Sequence, residues 1–433
     1  MEIIKEQITP LLGEIVVAPD KSISHRAIIF SALASGKGVV RNFLRAGDTL
    51  STCGCIRALG VEIVDQGEVV MVAGRGIHSL REPQGILDCG NSGTCMRLLT
   101  GLTAGQPFQS LLSGDQSLNQ RPIKRVIDPL SLMGADISAR GNGSLPPLAV
   151  RGRKSLHGIT YKLPVASAQV KSAIMLAGLF ADGETRLLEP QKSRDHSERM
   201  LTAMGADIDV QELNIALRPV ENLVPQEFLV PGDISSAAFF LVAATVVPGS
   251  QLMIRNVGLN PTRSGLLEVL LAMGARITIE NHRTIGGEPI GDLYVKSADL
   301  HACQVEGDII PRLIDEIPIL AVAMALAQGE SMVRNASELR VKESDRITTV
   351  CSELSKMGVV IEELEDGFII QGQPEGLLGA EVESHGDHRI AMSLAVAGLC
   401  ARGETRIINS EVVDISFPEF WPLLQRLTYR QSG

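Results

Sequence analysis

Leu59-Gly60-Val61-Glu62-Ile63, Met133-Gly134-Ala135-Asp136-Ile137, Met204-Gly205-Ala206-Asp207-Ile208, Met273-Gly274-Ala275-Arg276-Ile277 and Met357-Gly358-Val359-Val360-Ile361 are five versions of one junction. In each, an apolar stretch reaches a glycine and continues as a β-branched run. A helix over 264–273 needs a residue tolerant of positive φ just past its C-terminal end, and Gly274 supplies it. The residues that follow begin a strand. Met-Gly-Ala-x-Ile is a common helix-to-strand step, but five copies at intervals of roughly 70 residues mark an internal repeat.

A second series, Gly36, Gly105, Gly183, Gly249, Gly329 and Gly403, closes Ala/Leu-rich stretches. It mostly opens strand-like runs such as Gly183-Glu184-Thr185-Arg186-Leu187-Leu188 and Gly403-Glu404-Thr405-Arg406-Ile407-Ile408. Six units are implied, each reading apolar helix, glycine turn, strand, polar segment, second helix ending in Met-Gly, strand. Units of this length exceed solenoid repeats, so each is expected to be a small α/β subdomain packed around a shared helical core. They divide three and three near Leu229-Val230-Pro231-Gly232-Asp233, where a Pro-Gly turn precedes a long apolar helix starting at Ile234. The first lobe then covers 19–231 and the second 232–433. A strand over 3–12 is expected to pair with the second lobe, so 1–18 completes it.

Composition bounds the function. The 433 residues are 45% hydrophobic, 21% charged and only 3% aromatic, as expected of soluble α/β domains. The longest nearly apolar run, 234–247, ends at Pro248 and is too short to span a bilayer. Met1-Glu2-Ile3-Ile4-Lys5-Glu6 resembles neither a secretory signal nor a transit peptide, so a cytoplasmic protein is expected. Seven cysteines, an odd number, read as reduced thiols. Neither Cys53-Gly54-Cys55 nor the pair in His385-Gly386-Asp387-His388 has further ligands at metal-site spacing, so no metal is expected. With a net charge of −10 and a pI near 5.4, the chain's field repels nucleic acid.

An anionic ligand therefore needs cations gathered locally. Asp20-Lys21-Ser22-Ile23-Ser24-His25-Arg26 enters a helix, where free backbone N–H groups, hydroxyls and two cations suit a phosphate. An ordinary capped helix with solvated Lys and Arg reads equally well. There is neither a Walker A loop nor a dinucleotide-binding Gly motif. Asp88-Cys89-Gly90-Asn91-Ser92-Gly93-Thr94-Cys95-Met96-Arg97 is a second such loop, in which Gly93 serves close ligand approach or a tight turn. In Gln120-Arg121-Pro122-Ile123, Pro122 at a helix start leaves Arg121 just outside it. Ser167-Ala168-Gln169-Val170-Lys171-Ser172 and Lys192-Ser193-Arg194-Asp195-His196 are further polar turns before helices. His25, His196 and His388 read as structural.

The second half adds acids: Arg312-Leu313-Ile314-Asp315-Glu316, Arg340-Val341-Lys342-Glu343-Ser344-Asp345-Arg346 and Asp387-His388-Arg389-Ile390-Ala391-Met392. A solvated rim of ion pairs is the usual account of such runs. Packed repeats, however, bring helix starts together, and cations with two carboxylates suit anionic substrates and proton transfers.

In order and spacing these motifs resemble the EPSP synthase family of enolpyruvyl transferases, essentially from end to end. The resemblance implies a two-lobed inside-out α/β barrel built from six βαβαββ repeats, three per lobe. It implies transfer of the enolpyruvyl group of phosphoenolpyruvate to the 5-hydroxyl of shikimate 3-phosphate, a shikimate-pathway step toward chorismate and aromatic amino acids. The reaction would need no metal or other cofactor, in a monomer whose lobes close over the substrates, with no nucleic acid or membrane as partner. Lys21, Ser22, Arg26, Ser167, Gln169, Arg194 and Lys342 would hold shikimate 3-phosphate, with Asp315 at its hydroxyl. Lys21, Gly93, Arg121, Gln169, Arg346 and Arg389 would surround phosphoenolpyruvate. Asp315, Glu343 and Lys21 would be catalytic, Asp315 as base and Glu343 as acid.

Two positions depart from the family's better-known branch. Ser167-Ala168-Gln169 stands where Ser-Ser-Gln is usual, with Arg194 as the replacement phosphate donor, and Ile415 stands where a Lys precedes the terminal Phe-Pro. Both resemble the class II branch, several of whose members tolerate glyphosate, whereas Gly93 keeps the small residue where an Ala would crowd that inhibitor. The sister transferase acting on UDP-N-acetylglucosamine has Lys-Asn where this chain has Lys21-Ser22. RNA 3′-terminal phosphate cyclases use related subdomains, but the acidic pI disfavours RNA. A noncatalytic phosphate-binding protein would leave Asp315 and Glu343 without a role.

Overall fold

The computed structural model describes residues 1–6, 9–152, 155–285 and 287–428. Helices and strands alternate along the chain in a mixed α/β architecture, with seven sheets among the described residues. No helix among them is long and apolar enough to cross a membrane.

Five of the sheets have four strands and one pattern of pairing. In one, Leu87–Asp88 runs parallel to Gln109–Ser113, which pairs antiparallel with Leu145–Arg151, which pairs antiparallel with Asp136–Ala139. The helices Gly93–Ala104 and Lys124–Leu132 fall between these strands in the chain, giving the order strand, helix, strand, helix, strand, strand. Parallel neighbours require such a crossover, whereas the last two strands close as a hairpin. Alternate residues of Leu145–Arg151 are buried, with Leu148 and Val150 facing the core.

Two sheets take their first strand from a distant part of the chain. Glu227–Leu229 lies parallel to Lys37–Arg41, and Leu12–Val16 lies parallel to Gln251–Gly258. The strand expected over 3–12 is in fact two. Glu2–Lys5 pairs antiparallel with Glu404–Ile408, and Leu12–Val16 joins a different sheet. Pro10, which cannot donate to a ladder, lies between them.

The chain divides into two compact units, one of residues 19–230 with 285–288, the other of 1–18, 231–284 and 289–433. In the first, Lys21–Leu33, Gly93–Ala104 and Ala168–Gly178 are buried along most of their length, as helices apolar on every side must be. Gly93–Ala104 and Ala168–Gly178 touch at Gly101, where an added Cβ would lie 2.1 Å from the Ala173 carbonyl oxygen. Only glycine permits that approach. In the second unit, Ile234–Val246, Ile317–Ala325 and His388–Leu399 pack on one another. Phe239, Phe240, Phe417, Phe420 and Trp421 add edge-on and tilted ring contacts with centroids 5.0–6.1 Å apart.

The repeated Met-Gly junctions form as their spacing predicts. Gly60, Gly134, Gly205, Gly274 and Gly358 all have φ between +84° and +100°. The helix expected over 264–273 is Gly265–Ala272, flanked by Ser264 and Met273.

Candidate active site

Five of the six buried helices begin with a side-chain cap. Asp20 accepts from the Ile23 N–H, Ser92 from Cys95, Ser167 from Val170, Asp233 from Ser235 and Asp387 from Arg389. In the unit of residues 19–230, the polar groups expected to bind substrate cluster at these helix starts, where the backbone dipole favours anions.

Lys21 opens the helix Lys21–Leu33, and its Nζ lies 3.0 Å from Asp48 Oδ2. Arg26, one turn on, is 2% exposed. Its Nε donates to Ser197 Oγ at 2.8 Å, its Nη2 to Ser172 Oγ at 2.8 Å and its Nη1 to the Ser22 carbonyl at 3.0 Å. The guanidinium thus joins three helix starts, those of Lys21–Leu33, Ala168–Gly178 and His196–Ala203. Between Arg26 and Lys21, His25 is fully buried and held well below the usual imidazole range, first by desolvation and then by the two cations. It is neutral, and its Nδ1 meets Thr52 Oγ1 at 2.7 Å.

Gln169 bridges two helices, accepting from Arg97 Nη1 at 2.8 Å and donating to Thr94 Oγ1 at 2.8 Å. Arg121 Nη2 donates to Asn91 Oδ1 at 2.6 Å. Gly93 lies between these arginines: a Cβ there would sit 2.4 Å from Arg97 Nη1 and 3.8 Å from Arg121 Nη1. Pro122 does not start a helix as expected. The helix is Lys124–Leu132 with Ile123 at its cap, and Arg121 follows a short 3₁₀ turn, Leu118–Gln120. Arg194 is half-buried in the turn just before His196–Ala203.

The other unit gathers acids on one cation. Arg346 is 1% exposed, and its Nε donates to Asp387 Oδ2 at 2.7 Å, its Nη2 to Glu343 Oε2 at 2.7 Å and its Nη1 to Asp315 Oδ1 at 3.3 Å. Lys342 Nζ also reaches Asp315 Oδ1, at 3.2 Å. Arg389 Nη1 donates to the Asp315 carbonyl at 3.0 Å and lies 3.6 Å from Glu316 Oε1. Desolvation opposes the charge on Arg346, but Asp387, Glu343 and Asp315 outweigh it and raise the group further above its ordinary value. Asp387 is fully buried, which works against its charge, yet Arg346 holds its carboxyl below the usual carboxylate range. All five residues expected here, Asp315, Lys342, Glu343, Arg346 and Arg389, therefore meet in one network.

Other members have no role that the sequence assigns. Asp387, Arg97, Thr94 and Glu316 fall inside the motifs quoted above, where nothing local shows which partner each meets. Asp48, Ser197 and Arg263 give no such signal; Arg263 Nη2 lies 3.1 Å from Asp233 Oδ1 and 3.9 Å from Glu316 Oε1. Chemically, the first unit offers guanidinium, ammonium, amide and hydroxyl donors at helix starts, and the second offers carboxylates whose cation partners an incoming anion can claim.

Comparison with known proteins follows the same line. The family model for EPSP synthase (3-phosphoshikimate 1-carboxyvinyltransferase) matches residues 5–424. A 3-phosphoshikimate 1-carboxyvinyltransferase of Syntrophomonas wolfei is 62% identical over 428 residues, covering 99% of this chain and 100% of its own. One from Geobacter metallireducens is 52% identical over 418 residues, covering 96% and 97%. The solved EPSP synthase of Acinetobacter baumannii superposes with a TM-score of 0.88 at 45% identity, covering 98% of each chain. Matches of this length and identity leave one assignment: the chain belongs to the EPSP synthase family.

Proposed function

We infer that this chain transfers the enolpyruvyl group of phosphoenolpyruvate to the 5-hydroxyl of shikimate 3-phosphate, releasing phosphate, as a step of the shikimate pathway. The observation that carries the reading is the Arg346 network, in which Asp315 and Glu343 share one buried guanidinium. Two carboxylates bound to a cation that a substrate anion can claim suit a reaction that needs both a base and an acid.

In the addition step, the 5-hydroxyl oxygen bonds to C2 of phosphoenolpyruvate and its proton passes to Asp315. Glu343 delivers a proton to C3, completing a tetrahedral intermediate. In the elimination step C3 returns a proton, the double bond re-forms and phosphate leaves. Binding of the substrate anion to Arg346 releases Glu343 from its partner and lets it take up the proton it delivers. Lys21, Ser22, Arg26, Ser167, Gln169, Arg194 and Lys342 hold shikimate 3-phosphate in this reading, and Lys21, Gly93, Arg121, Gln169, Arg346 and Arg389 surround phosphoenolpyruvate. Planar guanidinium groups grip phosphate and carboxylate bidentately and so overcome the repulsion between two anionic substrates.

The reading extends to architecture and setting. We take the strand-helix-strand-helix-strand-strand order as one βαβαββ unit, with six units forming an inside-out barrel of two lobes, 19–231 and 232–433, the second completed by 1–18. The protein acts as a cytoplasmic monomer on small molecules, without nucleic acid or membrane.

The test measures phosphate release from phosphoenolpyruvate with shikimate 3-phosphate, with UDP-N-acetylglucosamine and with no acceptor, followed by mass spectrometry of the product. Release that depends on shikimate 3-phosphate, with an enolpyruvyl adduct, is expected; release only with the nucleotide sugar would reassign the acceptor. Glu343→Gln is expected to lower turnover by about 100-fold or more, in line with loss of a general acid. Near-wild-type turnover with unchanged affinities would remove Glu343 from that role.

A further inference from the structure

Cysteine pairs close in sequence gave no reason to expect a metal, but the fold assembles a group that spacing does not reveal. Cys55 lies near the end of the helix Gly47–Ala58, Cys89 follows the strand Leu87–Asp88, and Cys95 lies in the first turn of Gly93–Ala104. Their three Sγ atoms lie within 4.8 Å of one another. All three residues are buried, at 2%, 0% and 0% exposure.

We propose that Cys55, Cys89 and Cys95 form a three-thiolate binding site for a soft monovalent cation, copper(I). The distances fit. Metal–sulfur bonds of about 2.3 Å place three sulfurs of a planar site about 4.0 Å apart, so from 4.8 Å each need move inward by only about 0.5 Å. The donor count selects the ion. A structural zinc site takes four protein ligands, whereas copper(I) accepts three, and among the described residues no His, Asp or Glu completes the group. Sulfur-only donors favour the softer ion.

Cys53, two residues away, lies outside the group. Buried cysteine is otherwise an ordinary small apolar residue. What three converging sulfurs add over three alanines is the capacity to bind a metal.

The position matters because Cys89 and Cys95 bracket the loop that carries Gly93. That loop is already closed by Ser92, whose N–H donates to the Cys89 carbonyl at 2.9 Å while its Oγ accepts from the Cys95 N–H at 3.2 Å. Asp88 is exposed and Gly90 and Asn91 are half-buried, so the loop itself borders solvent. A bound ion would tie both ends of the loop to the helix whose Asp48 pairs with Lys21.

The test titrates the reduced full-length protein, without oxygen, with copper(I) held by bathocuproine disulfonate, whose colour reports transfer. One equivalent is expected to move to the protein. X-ray absorption at the copper edge is expected to show three sulfur neighbours. Cys55→Ser, Cys89→Ser and Cys95→Ser should each weaken binding by more than the ~10- to 100-fold typical of losing an outer-shell partner, while Cys53→Ser binds as wild type does. Loading should also slow amide exchange across residues 89–95 in wild type and not in Cys55→Ser. No transfer, a copper centre with two sulfurs or with nitrogen or oxygen neighbours, or equal loss in Cys53→Ser would each overturn the proposal. Stoichiometry and coordination are read on the wild-type protein, so they decide the matter even if a variant fails to fold.

Discussion

Asp387→Asn isolates one charge at the centre of the second unit. Asp387 accepts Arg346 Nε at 2.7 Å and Nη2 at 3.3 Å, and its Oδ1 also caps the helix His388–Leu399 through the Arg389 N–H at 2.9 Å. Asparagine can keep the capping oxygen, but its amide then faces Arg346 Nε, placing donor against donor. Breaking a buried ion pair costs about 3–5 kcal/mol. Arg346 keeps Glu343 and Asp315, so the low end applies and about 3 kcal/mol is expected. Asp387→Ala loses the cap too, adding about 1 kcal/mol.

The assay is built into the chain. Its single tryptophan, Trp421, is 8% exposed and belongs to the same unit as Asp387, so its fluorescence reports the unfolding of that unit. At about 2–4 °C per kcal/mol, the midpoint should fall by about 6–12 °C. The sign of the pH effect also follows. The carboxyl is lowered from its reference of 3.8, so its contribution is complete above that pH and is lost as pH falls through the lower folded value. Asp387→Asn should therefore lose less stability than wild type on acidification below pH 3.8. A midpoint within about 3 °C of wild type, equivalent to roughly 1 kcal/mol, would refute the reasoning.

Three further outcomes follow from other contacts. Gly93→Ala pushes Arg97 off Gln169, a charged hydrogen bond worth about 1.5 kcal/mol, so steady-state kinetics should show KM for phosphoenolpyruvate up about 10-fold. Lys171 is fully buried between Glu189 at 3.0 Å and Glu198 at 2.6 Å, so Lys171→Met strands two carboxylates and should cost about 3–5 kcal/mol, read by circular dichroism on heating. His25 stays neutral when folded, so wild-type stability should fall as pH drops below the reference 6.5, because the unfolded chain takes up the proton. His25→Gln should remove up to about 1.4 kcal/mol per pH unit from that slope in urea titrations at several pH values.

The helix starts were legible because capping is local: Asp20, Ser92, Ser167 and Asp387 each satisfy N–H groups two or three residues on. The Met-Gly junctions were legible for the same reason, since a positive φ after a helix is a demand on one residue. Convergence was legible only as a grouping of helix starts, not as the partner each side chain meets. Nothing near Arg346 in sequence says that Asp387 will meet it, and nothing near Cys55 announces Cys89 and Cys95. Arg26 shows the same limit, its motif plain and its partners Ser172 and Ser197 supplied by remote helices. The misplaced helix start at Pro122 has a different cause: a 3₁₀ turn takes up the preceding residues, so Ile123 rather than Arg121 borders the helix.

Gly101 lies eight residues into the helix that Gly93 begins, about 12 Å along its axis. Because its backbone rests on that of Ala173, the separation of the two helices is fixed there by bare main chain, with no side chain to compress or rearrange. The gap between Thr94 and Gln169 at the helix starts inherits that spacing, as the opening of a pair of tongs inherits the position of its pivot. A single methyl at Gly101 would alter the grip without touching a polar side chain, so residues at such pivots can reshape ligand preference from a place no map of ligand contacts would include.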